Sequence, residues 1–223
     1  MGVVMKSQLV SFPAANRRGF QGTAFATVLL SLLLVGCTSQ PTKPAVPEVK
    51  PPELLTGRSA FQKCFITARG WARDAQPFRL EALPTTEANG QDGKSAIWRA
   101  SFASAATRGA KPYFWSGSAT PDAPSRGVSP GPEDSYTPTN SSTQIFDVAF
   151  LKVDSDQAFA VAQKHGGEKV VRADAATIVT YICDFDHNNN KLIWHVIFGA
   201  NRETAKLTIA VDASTGEFIR EEK

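Results

Sequence analysis

Two short runs, Trp98-Arg-Ala-Ser-Phe102-Ala-Ser-Ala and Trp194-His-Val-Ile-Phe198-Gly-Ala-Asn, lie 96 positions apart in a chain of 223 residues. Each follows a turn ending in lysine (Lys94, Lys191) and precedes an Ala-Lys pair (Ala110-Lys111, Ala205-Lys206). Upstream, Ser59-Ala60-Phe61 and Gln157-Ala158-Phe159 stand 98 positions apart. A nearly constant offset at separated points marks an internal repeat. It restricts the fold to one built from two copies of a single unit.

Periodicity gives the content of that unit. In residues 59–73, Ala60, Cys64, Ala68 and Trp71 recur at three- and four-residue steps, with Phe61 and Phe65 beside them, which predicts a helix. Ser59 is its expected cap. Strands are expected at Phe78–Leu83, Ala96–Ala103 and Lys111–Ser116. In the second of these Trp98, Ala100 and Phe102 alternate with Arg99 and Ser101. The plan then repeats: a strand at Ile145–Val153, a helix over 157–165 capped by Ser155 or Asp156 and stopped by Gly166-Gly167, and strands at Thr177–Phe185, Leu192–Gly199, Lys206–Asp212 and Glu217–Arg220. The fold class is therefore α+β, with two tandem helix-plus-antiparallel-sheet units. Their expected limits are 57–116 and 144–223, joined by a flexible Gly/Pro/Ser linker over 117–143.

The N-terminal segment is of another kind. Lys6, Arg17 and Arg18 give a basic flank without acids, and an apolar run from Phe20 ends in Leu34-Val35-Gly36-Cys37. That is the pattern of an export signal, residues 1–36. Its last four residues resemble the bacterial lipobox, which implies acylation of Cys37 and cleavage just before it. An uncleaved anchor helix is the alternative, since about 17 apolar-leaning residues just span a bilayer. Asn16-Arg17-Arg18-Gly19-Phe20 is similar to a twin-arginine signal, without the Leu-Lys that often follows. Residues 37–56 are rich in proline and are expected to form an extended tether. Thr38 stands where many Gram-negative lipoproteins carry an inner-membrane retention Asp. By that resemblance the chain is expected on the outer membrane, facing the periplasm.

Removing Lys6, Arg17 and Arg18 from the 24 basic residues leaves 21, which balances the 21 acids. A nucleic-acid footprint, which needs clustered Lys and Arg, is not expected. Beyond Cys37 only Cys64 and Cys183 remain, one on a helix face and one in a strand, and two separate buried thiols are expected.

The second half resembles the PepSY-like modules. The matching residues are Lys152-Val-Asp-Ser-Asp-Gln-Ala-Phe-Ala-Val-Ala162, then Ile193-Trp-His-Val196, then Ala210-Val-Asp-Ala-Ser-Thr-Gly-Glu217. The resemblance covers roughly residues 145–223 and implies a cystatin-like fold, one helix across an antiparallel sheet, in proteins that bind or inhibit. In the first half Trp115-Ser-Gly-Ser replaces the Asp-Ala-x-Thr-Gly turn. The family carries no catalytic residues over.

Few other residues suggest chemistry. His165, His187 and His195 lack the spacing of a zinc site and are expected on the surface. Asp184-Phe-Asp186-His-Asn188 lacks the Gly and Glu of a calcium loop. Asp212 with Thr215-Gly216 is expected to close a turn. Tyr113, Phe114 and Trp115 in a row cannot all face inward. No catalytic residue, metal or cofactor is expected, and Cys37 is the one modified site. The expected role is non-enzymatic protein binding or inhibition by a lipid-anchored envelope protein. The alternatives are a structural or stress role in envelope assembly, and a small-ligand carrier or enzyme of a cone-shaped α+β fold. The expected partners are the membrane, through the lipid, and an envelope protein or peptide.

Overall fold

The computed structural model describes residues 50–222. Cys37, the export segment and most of the proline-rich stretch lie outside the described residues.

The first repeat runs β1 (Leu55–Thr56), α1 (Gly57–Trp71), β2 (Gln76–Ala82), β3 (Lys94–Ser95), β4 (Ile97–Ser104) and β5 (Gly109–Ser116). Two short strands follow, β6 (Gly127–Pro130) and β7 (Asp134–Ser135). The second repeat comprises α2 (Ser155–Ala162), α3 (Glu168–Ala173), β8 (Val179–Asp186), β9 (Lys191–Phe198), β10 (Leu207–Asp212) and β11 (Phe218–Glu222). The fold is α+β, with the helices on one face of an antiparallel sheet.

The two repeats share that sheet, whose order is β11-β10-β9-β8-β2-β4-β5-β6. They join where β2 pairs antiparallel with β8, Leu80 opposite Cys183. Equivalent strands thus meet edge to edge about a pseudo-twofold axis. Trp98 pairs with Trp115 in the first repeat as Trp194 pairs with Val211 in the second. Joining the repeats this way removes two open sheet edges, which would otherwise be sticky.

Alternation along β4 and β9 sends Trp98, Ala100 and Phe102, and Trp194, Val196 and Phe198, under the helices, all fully buried. Trp98 and Trp194 meet edge to face, ring centroids 6.3 Å apart. Each indole N–H donates to a carbonyl just before a helix, Trp98 to Leu55 at 2.8 Å and Trp194 to Val153 at 2.9 Å. Gly57 fits only because it lacks a side chain, since a Cβ there would lie 2.6 Å from the Trp194 ring.

Helix α1 has no side-chain cap of its own. Its first amides are met from the other repeat: Gly57 N donates to Ser155 Oγ at 2.7 Å and Arg58 N to Asp154 Oδ1 at 2.8 Å. Asp154 also caps α2 in a capping box with Gln157. Ser59, Ser155 and Asp156, the expected caps, are displaced from that role by this shared carboxylate.

Four further expectations are corrected. Residues 117–143 are no flexible linker: β6 and β7 both pair with β5, and Tyr136 is buried against Ala103 and Ala110. The tether ends early, because Leu55 and Thr56 pair with β3. Residues 145–153 form no strand. Asp147 instead caps a single 3-10 turn, Val148–Phe150. Gly166-Gly167 kinks the helix rather than stopping it. Gly166 takes φ +114°, and α3 continues beyond a π-type turn. Gly167 is required by the close approach of Phe198, whose ring would lie 2.2 Å from a Cβ.

Candidate functional site

The groove between helices and sheet, where a carrier would hold its cargo, is filled by Trp98, Trp194, Tyr181, Phe61, Phe102 and Phe198. The polar chemistry gathers on the opposite face of the sheet. There β9 turns His195 away from the side of its neighbours Trp194 and Val196, and the residue is only 5% exposed.

His195 is gripped at both nitrogens. Its Nε2 lies 3.0 Å from Asp184 Oδ1 on β8, and its Nδ1 lies 2.6 Å from Glu222 Oε2 on β11. Glu222 reaches it across β10, where the residue opposite His195 is the small Ala210. Carboxylates at both nitrogens require both to donate, which is the imidazolium form. Burial alone would depress the histidine. The hydrogen bonds to Asp184 and Glu222 outweigh it, and the pKa is raised. Burial pushes both carboxyls up, but their bonds to His195 hold both below the ordinary range.

The clamp sits within a longer ladder of alternating charge. Arg99 Nε is 2.6 Å from Glu81 Oε1, and Arg79 Nε is 3.5 Å from Glu81 Oε2. Arg79 and Arg202 stand 3.8 and 3.9 Å from Asp184, and Arg220 is 2.8 Å from Glu222. The ladder thus crosses from β4 to β11 and spans both repeats. The Nε atom of Arg79 is buried without a hydrogen-bond partner. Of the depressions beside the ladder, two border Arg202. One of about 370 Å³ has Ile182 and Ile197 in its floor and Arg79 and Arg202 at its walls. The other, about 400 Å³, lies between Arg202 and Arg220. A larger hollow of about 450 Å³ lies against the loop 118–126 and gathers no cluster of titratable groups.

In the imidazolium form of His195 both ring nitrogens donate, and neither has a lone pair to accept a further proton. Cys183, next to Asp184 in sequence, lies on the other face and is fully buried, and burial raises its thiol pKa well above the ordinary value. Burial pushes the Cys64 thiol up to about 12. Both thiols are free, as expected.

The other candidates resolve into structure. Asp212 Oδ1 accepts from the amides of Ser214 and Thr215, closing a turn in which Gly216 has φ +80°. Asp186 closes the β8–β9 hairpin on the amides of Asn188 and Asn189. His165 and His187 lie in exposed turns, as expected, and His165 stacks on Phe218 at 3.9 Å. Tyr113 and Trp115 point inward and Phe114 outward. His195 is the exception among the expected surface histidines. Its partner Glu222 was hidden from a sequence reading because β11 returns to it only through β10. Asp184 was within reach, since the 186–191 hairpin fixes it diagonally opposite His195.

Among the described residues no group of three or more His, Cys, Asp or Glu side chains could hold a metal ion. No helix among them is long and apolar enough to cross a membrane. No family model matches the sequence, and no curated protein does. The fold is similar to the crystal structure of a "putative lipoprotein" from Clostridium difficile 630, with a TM-score of 0.50 and 11% identity. The match covers 73% of this chain and 91% of that one.

Proposed function

We propose that the chain is a lipid-anchored protein of the bacterial envelope that acts by binding a protein or peptide and performs no chemistry of its own. Anchoring rests on the basic flank, the apolar run and Leu34-Val35-Gly36-Cys37. Two or more acyl chains would make the attachment stable, which one does not. The name given to the similar clostridial structure agrees with that reading. The PepSY-like outline over residues 145–223 supports a binding or inhibitory role.

The observation that carries the binding role is the distribution of space and charge. The helix–sheet groove is packed with aromatic rings, whereas the opposite sheet face carries shallow depressions beside an arginine-bearing ladder. Filled on one side and polar on the other, the sheet offers a surface for a partner in place of a chamber for a small molecule. The periplasmic side of the outer membrane is the location proposed from Thr38.

A photo-activated cross-linking amino acid placed at Arg202, at the rim of both depressions, tests this in cells. A discrete protein adduct is expected there, and none from the same probe at Gln157 on the helix layer. Absence of adducts from Arg79, Arg99 and Arg202 alike would overturn the binding role.

A further inference from the structure

We propose that the outward face of α1 docks on an anionic lipid surface, so that the folded body lies against the membrane that anchors it. The proposal rests on the lipid-anchor reading. It begins from charge. From Leu54 to Arg73 the chain carries Arg58, Lys63, Arg69 and Arg73 and not one acid. After Cys37 the rest of the chain carries 17 basic residues (21 less these four) against 21 acids, so this concentration is local.

Packing places these residues on one stripe. Ala60, Phe61, Cys64 and Ala68 are the buried side of α1. Gln62, Lys63, Ile66, Arg69 and Gly70 are exposed, at the three- and four-residue steps of a helix face, and Arg73 is exposed in the turn just beyond the helix end. In the middle of that stripe stands Ile66, 75% exposed, far more than any other large apolar side chain among the described residues. Beside it the Arg69 guanidinium lies 5.8 Å over the ring of half-buried Phe65. Cations surrounding an apolar tip match the interfacial zone of a bilayer, where the tip enters the headgroup layer and the cations meet phosphates.

The acids at the borders of this face, Glu53 aside, keep their charge but are held by hydrogen bonds away from the stripe itself. Asp74 accepts from Ser104 Oγ and the Ala106 amide, Glu133 from the Trp71 indole, and Asp154 from the helix amides. Glu133 is also paired with Lys111 at 3.5 Å.

Geometry supplies the second support. Helix α1 is the first helix after the tether, and only residues 38–49 separate Cys37 from the described chain. Fully extended, they reach about 40 Å. Such a short tether holds α1 at high effective concentration near the surface, so that a weak attraction is enough.

The test uses the mature chain made without its lipid, residues 38–223, so that it reads the surface and not the anchor. Co-sedimentation is measured with vesicles of phosphatidylcholine alone and of equal parts phosphatidylcholine and phosphatidylglycerol. The proposal predicts binding to the anionic vesicles only. Lys63→Glu/Arg69→Glu should lower the partition coefficient at least about tenfold, Ile66→Ser should weaken it too, and Lys152→Glu/Lys169→Glu should change it little. Circular dichroism confirms that each variant is folded. Three outcomes overturn the proposal: no binding to anionic vesicles, equal binding to both kinds, or equal loss from the two charge reversals. None of them bears on acylation of Cys37, which a separate labelling experiment reads.

Discussion

Asp154 Oδ1 accepts a hydrogen bond from the backbone amide of Arg58 at 2.8 Å, although the two residues stand 96 positions apart. One carboxylate therefore serves the positive ends of two helices, one in each repeat. Losing a helix cap costs about 1 kcal/mol, and here two are lost together. Asp154→Ala is expected to destabilise the protein by about 2 kcal/mol, and Asp154→Asn by less, since an amide oxygen still accepts. Urea denaturation followed by circular dichroism checks this. A loss near zero for Asp154→Ala would show that water replaces the cap.

Gly57 tests the same junction by volume. A methyl group at this position would press on Trp194 at 2.6 Å and Trp98 at 3.1 Å. Overpacking of this kind costs about 1–3 kcal/mol. Gly57→Ala should lower the thermal midpoint and shift tryptophan fluorescence. An unchanged midpoint would mean that the two indoles can part freely.

The clamp on His195 makes stability depend on pH from both sides. Its folded pKa lies above the ordinary value of about 6.5, so its contribution is fully present below that pH and is lost as pH rises through the folded value. Asp184 and Glu222 are lowered, so their contributions are present above about pH 4 and are lost as pH falls through their folded values. Urea midpoints should therefore be highest between about pH 4 and 6.5 and decline toward alkali. In His195→Gln the alkaline decline should shrink. An identical decline in both proteins would remove His195 from the explanation.

The thiols give a simpler test. Cys64 and Cys183 are buried, free and raised in pKa, the opposite of a reactive cysteine. A chromogenic disulfide reagent should label neither in the native lipid-free chain and both after unfolding. Rapid labelling of either one in the native state would contradict the packing.

Some elements were legible in the sequence because one face of them is buried. Trp98, Ala100 and Phe102 write the alternation of β4 directly, and Ala60, Cys64 and Ala68 write the stripe of α1. The repeat offset foretold two copies of one unit. What could not be read depends on partners distant in the chain. Strands β6 and β7 pair through backbone groups, which leave no apolar pattern in a Pro- and Gly-rich stretch. Gly167 reads as a stop until Phe198 is seen pressing on it. The cap of the second-repeat helix reads as Ser155 or Asp156, not Asp154, and only the pairing of β2 with β8 brings Asp154 to the first helix as well. The His195 clamp was half legible, because a hairpin fixed Asp184 and a longer path through β10 brought Glu222.

The most direct test of the proposed account concerns Cys37. Cells expressing the full chain are grown with radiolabelled palmitate, and the protein is isolated and counted. The account predicts label in the wild-type protein and none in Cys37→Ser, which should also remain at precursor size. Label persisting in Cys37→Ser, or an unlabelled wild-type protein, would contradict the lipid anchor.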